Sequence, residues 1–167
     1  MPIHRAFTAL TLAFTLVATM LFPTPADAAP PPSGRYVDVY EVLQTDAQFE
    51  AWYRVTSGLR RDFDEVCGDT FCEGDYSNIQ SLRYRCSVDA VSGSIGQCVW
   101  VLAGSIEDID ASTGRVVVTG KIWRCRSPIG RLATLDELIR ALDVPSPIRA
   151  ALPGSGRSLY EGLTDCL

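Results

Sequence analysis

Six cysteines, at positions 67, 72, 86, 98, 125 and 166, constrain this chain more than any other feature. All six lie downstream of an N-terminal segment with the marks of a secretion signal. Arg5 supplies the positive start and Ala6 to Phe22 the apolar run. Pro23 and Pro25 then break the helix ahead of Ala26-Asp27-Ala28, a small-x-small cleavage pattern. The apolar run is at the short edge of the roughly 20 residues needed to span a bilayer, and no basic flank follows it. Residues 1–28 therefore read as a signal peptide, which places the chain in a secreted or periplasmic compartment with no membrane attachment after cleavage. There, six cysteines read as three disulfides.

Sequence spacing narrows the 15 pairings that six cysteines allow. Cys67 and Cys72 are near neighbours. A hairpin folded about Ser92 sets Cys86 opposite Cys98 and Tyr84 opposite Trp100, which leaves Cys125 for Cys166. A second hairpin, folded between Ala111 and Ser112, would set Cys98 beside Cys125 instead, so two registers compete for Cys98. A Cys125–Cys166 bridge would close a long loop and tie down the C-terminus. The chain-entropy argument values it at about 4 kcal/mol, against roughly 2 for the short Cys67–Cys72 loop.

Cleavage would also discard His4, the only histidine. Without imidazole there is no Ser-His-Asp triad, no Cys-His pair and no histidine metal site. Bridged cysteines supply no thiolate. Lys121, the only lysine, sits in TGKIW with no serine three residues before it. From Ala29 onward, 14 Lys plus Arg face 19 Asp plus Glu, and no basic run is present. That argues against nucleic acid or a membrane surface as partner. No cofactor is expected, and the partner reads as an unspecified protein or small-molecule ligand.

The length left after the cut suits one domain. Residues 29–34 form a proline-rich leader, expected extended or disordered, and 35–167 the folded part. Thr45 and Gln48 form a capping box that opens a long helix. Phe49, Trp52, Tyr53, Leu59, Phe63 and Val66 form its apolar stripe, and Gly68 stands where a left-handed residue would end it. Ser81 to Val88 then alternates as a strand, with Leu82, Tyr84, Cys86 and Val88 inward and Arg83, Arg85 and Ser87 toward water. Gln97 to Ile106 and Arg115 to Arg126 are two more strands. A second capping box, Thr134 with Glu137, opens a short helix to about Leu142. One or two turns follow at Pro147–Leu152, and a last helix spans Arg157–Thr164. The fold class is α+β: one long helix packed on a curved antiparallel sheet, with short C-terminal helices.

That element order, over about Thr45 to Arg126, resembles cystatin-like and nuclear-transport-factor-2-like folds, which implies a sheet curled around the helix. The segment CGDTFCEGDYSN, Cys67 to Asn78, with the later CVW, WRC and DCL, resembles small six-cysteine secreted bacterial proteins of unknown function. That likeness implies no activity.

Two sets of residues could carry function. Trp52, Tyr53, Phe63, Tyr84, Trp100 and Trp123 could line an apolar ligand pocket between helix and sheet, or simply form the core. Asp62, Asp64, Glu65, Asp69, Glu73 and Asp75 crowd one short stretch, three of them at the helix C-terminus, where the macrodipole disfavours anions. Asp69, Glu73, Asp75 and Asn78 could hold Ca²⁺, although their spacing matches no EF-hand. Alternatively, Arg60, Arg61, Arg83 and Arg85 neutralise the acids. The sequence thus points to a binding or structural domain, with no catalytic residues assigned. A carboxylate-dependent hydrolase on a cystatin-like scaffold and a Ca²⁺-binding module are the alternatives.

Overall fold

The computed structural model describes residues 35–167, so the signal segment 1–28 and the leader 29–34 lie outside the described residues. A short strand, not anticipated from the sequence, precedes the long helix: β1 is Tyr36–Asp38. It runs directly into α1, Val39–Val42, where Asp38 and Glu41 form a capping box. That Asp-x-x-Glu pair is a legible helix-start signal.

α2 spans Asp46–Cys67 and opens on the expected Thr45–Gln48 box. Its buried stripe is Trp52, Val55, Leu59 and Phe63, at spacings of three and four. Phe49 (41% exposed) and Tyr53 (71%) fall outside it. Tyr53 lies one residue, or about 100° of helix rotation, away from Trp52, so one stripe of limited width cannot bury both. Gly68 is right-handed, with φ −59°, and does not end the helix as a left-handed cap. The chain is turned by hydrogen bonds from the Thr70 and Cys72 amides to the Cys67 carbonyl, at 3.1 and 2.7 Å. The Cys67–Cys72 disulfide closes the same turn.

Three longer strands follow: β2 (Gln80–Asp89), β3 (Ile95–Asp110) and β4 (Arg115–Arg126). The sheet is antiparallel in the order β1-β2-β3-β4. Tyr84 lies opposite Trp100 and Cys86 opposite Cys98, as the first hairpin register requires. Leu82 does not face inward. A bulge between Ser81 and Arg83 takes it out of the alternation and leaves it 49% exposed.

The second hairpin turns one residue later than expected, because Gly114 takes the left-handed conformation (φ 68°) and Asp110 pairs with Arg115. Cys125 therefore lies opposite Trp100, not Cys98. This settles the competition, and the bridges are Cys67–Cys72, Cys86–Cys98 and Cys125–Cys166.

After the sheet come α3 (Leu135–Leu142), a 3-10 turn at Pro147–Arg149, and α4 (Leu159–Thr164). Both helices start on capping boxes, Thr134 with Glu137 and Ser158 with Glu161. Val55, Leu59, Leu102, Leu138, Leu142, Ile148 and Leu163 are at most 2% exposed and belong to one core with the aromatic side chains. Each such side chain contributes about 1.5–3 kcal/mol relative to staying in water. α2 thus covers one face of the sheet, and among the described residues no helix covers the other.

Candidate functional site

The interface between α2 and the sheet, where an apolar pocket was a possibility, is filled. Trp52 sits 5.9 Å from Tyr84 and Phe63 5.7 Å from Trp100, centroid to centroid. Trp123 is 7% exposed and stands edge-on to Tyr76 at 5.1 Å. Trp52, Phe63 and Trp123 line none of the five main surface grooves among the described residues. Tyr84 and Trp100 contribute to an open groove of about 460 Å³ beside β2, and Tyr53 lies on its helix side. Tyr53 is therefore a surface residue rather than part of a cavity wall between helix and sheet. The Tyr84 hydroxyl accepts a hydrogen bond from Ser127 at 3.1 Å. Burial pushes its pKa well above the ordinary phenol value, so it stays protonated and is no general base.

The acidic residues do not converge either. Among the described residues, no three Cys, His, Asp or Glu side chains are grouped so that they could hold a metal ion. Asp69, Glu73 and Asp75 are thus not brought together. Asn78 is engaged elsewhere: its amide donates to the Ser105 hydroxyl at 2.8 Å and its carbonyl accepts from the Ser105 amide at 2.7 Å. Asp62 is buried and acts as an anchor. It accepts from the Ile148 amide at 3.1 Å, from Ser146 at 3.3 Å and from Arg61 at 3.3 Å, tying α2 to the 3-10 turn.

Five carboxylates are held below their ordinary range by hydrogen bonds, which is the wrong direction for a general acid. They are Asp89 (chiefly Arg35), Asp110 (Ser112), Glu137 (Thr134), Asp143 (Arg54) and Glu161 (Ser158).

The arginines expected to neutralise the acidic run behave differently. Arg61 does pair with Asp62, but Arg85 pairs with Asp38. Arg60 and Arg83 have no ion pair among the described residues. Alternation explains where Arg83 and Arg85 go. Tyr84, Cys86, Trp100, Leu102, Trp123 and Cys125 face α2, so their neighbours along each strand must face the uncovered side.

The ladder then aligns these neighbours into two rows, Arg85–Val99–Arg126 and Arg83–Val101–Arg124. All four arginines are exposed, and the two valines between them are partly so. Strands about 4.8 Å apart and a two-residue advance of about 6.8 Å put the four Cα atoms at the corners of a rectangle roughly 10 by 7 Å. Arg83, Arg124 and Arg126 have no ion pair among the described residues. At one end the face meets a groove of about 620 Å³ that contains Gln97, Arg126 and Arg131.

This cationic face was hidden because its members come from two strands far apart in the chain and form no basic run. The usable signal was the repeated Arg-x-Arg, at Arg83/Arg85 and again at Arg124/Arg126, on the outward parity of two strands. Fold and face together define a three-disulfide α+β domain with one sheet surface left open and positively charged. No protein-family model, curated protein or solved structure matches the chain.

Proposed function

We propose that this protein is an extracytoplasmic binding module that takes an extended acidic protein segment on the open face of its sheet. The observation that carries the reading is the arrangement of Arg83, Arg85, Arg124 and Arg126 around Val99 and Val101, with only Arg85 occupied by an internal carboxylate among the described residues. Guanidinium groups bind carboxylates through paired, directional hydrogen bonds, and the valines offer apolar contact between them. An extended peptide presents every second side chain on one side at about 6.8 Å. That matches the Arg83-to-Arg85 and Arg124-to-Arg126 advance, so a ligand with an acidic residue at every second position reaches both rows. The three disulfides require an oxidising environment, which supports secretion or periplasmic residence. In that reading the signal segment is removed after Ala28, and the intact mass of secreted protein checks it. The chemistry is recognition, with no catalysis.

Calorimetric titration with a peptide alternating glutamate and valine tests the proposal. Binding should weaken with added salt, and a lysine–valine peptide should not bind. The triple variant Arg83→Ala, Arg124→Ala, Arg126→Ala should lose at least tenfold in affinity, about 1.4 kcal/mol. These side chains are exposed, so its melting temperature should be unchanged. Binding that survives the triple substitution would refute the assignment.

A further inference from the structure

The β3–β4 hairpin outruns the rest of the sheet. β2 begins only at Gln80, opposite Ala103, so Gly104–Asp110 of β3 and Arg115–Lys121 of β4 continue as a two-stranded arm. β4 is also the last strand of the sheet, so its outer edge has no partner among the described residues. The β4 strand of the arm exposes valines on both sides: Val116 and Val118 are 62% exposed on one, and Val117 is 49% exposed on the other. A two-stranded ribbon is marginal in water, and an open valine edge is a template for another strand.

We infer that the protein forms a dimer with a second copy of itself, arm against arm, through the free edge of β4. Antiparallel pairing about a two-fold axis at Val117 sets Val116 opposite Val118 of the second copy, and Arg115 opposite Thr119. No like charges lie directly opposite one another in that register. Charge favours the same arrangement. The arm carries Glu107, Asp108 and Asp110 toward its tip, whereas Lys121, Arg124 and Arg126 lie at the base of β4. Antiparallel arms place each acidic tip beside the other's basic base. Lys121 of one copy then comes opposite Thr113, whose hydroxyl donates to the Asp110 carboxylate at 2.7 Å. A parallel pairing would align base with base and set these cations together.

The axis runs perpendicular to the sheet, so the open faces of both copies point the same way. The inference does not depend on what the arginine face binds.

Sedimentation equilibrium of the disulfide-bonded protein at about 100 μM should give twice the chain mass. Amide exchange at Val116, Val117 and Val118 should slow as protein concentration rises. Val117→Lys puts two like charges on the axis and should return the mass to that of one chain with an unchanged melting temperature. If that variant melts early, Val116→Lys, on the opposite side of the arm, reads the same loss. A single-chain mass for the unmodified protein, or a dimer that persists in both variants, would overturn the inference.

Discussion

Removing the Cys125–Cys166 bridge, as Cys125→Ala with Cys166→Ala, should be the most destabilising loss of any one disulfide. Cys125 is 3% exposed on the inner side of β4, and Cys166 follows α4, whose Leu159 and Leu163 are buried. The bridge joins residues 41 apart, so without it the unfolded chain regains the freedom of a long loop. The chain-entropy relation gives about 4 kcal/mol for that closure, and roughly 2 for Cys67–Cys72, which joins residues only 5 apart. For Cys86–Cys98, separated by 12, it gives about 3 kcal/mol. Unfolding residues 35–167 carries an entropy of about 0.28 kcal/mol/K, so the first loss should lower the melting temperature by about 14 °C and the second by about 8 °C. Scanning calorimetry of the three paired variants under identical conditions measures the ranking. A Cys125/Cys166 variant that melts no lower than the Cys67/Cys72 variant would refute the reasoning, because loop length would then not control the effect.

Asp62→Ala should cost about 2–3 kcal/mol in denaturant unfolding, since it strands the buried Ile148 amide. Gly68→Ala should be neutral or stabilise by about 0.5–1 kcal/mol, because the site is right-handed and an added Cβ meets nothing within 4 Å. A destabilisation there would restore the left-handed cap. Gly130→Ala should be among the most damaging substitutions, because its Cβ would collide with the backbone of Gly154. A melting temperature within error of the parent protein would contradict that crossing. Asp89 is held low first by Arg35 and then by the Ser92 and Val91 amides, and Asp110, bonded first to Ser112, is lowered to about 2. Both folded pKa values lie below the unfolded value of about 3.9, so their stabilisation is present above that pH and is lost as pH falls. Melting temperatures measured from pH 6 to pH 2 should fall steeply, and Asp89→Asn should flatten the acid limb. An unchanged limb would exclude the Asp89 contribution.

Helix starts are the most legible part of the fold. Thr45 with Gln48 and Thr134 with Glu137 satisfy amides three residues away, so the signal and the contact lie in the same short stretch. The Asp38–Glu41 and Ser158–Glu161 boxes carry the same signal. The rotational phase of α2 is less accessible, because Phe49 and Tyr53 look as apolar as Trp52, and only packing decides which side is covered. Leu82 shows the same limit in a strand, where one bulged residue cancels the alternation that would bury it.

By itself the sequence determined the α+β class, the long helix and the three strands that follow it, and the cross-strand placement of Cys86 against Cys98. Each of these follows from periodicity, capping or hairpin spacing, interactions between residues close together in the chain. Tertiary structure alone decided that Cys125 lies opposite Trp100, that Asp62 is an anchor, and that four arginines from two distant strands form one surface. Those outcomes depend on register, and a single residue in the turn at Gly114 sets the register of every pair between β3 and β4.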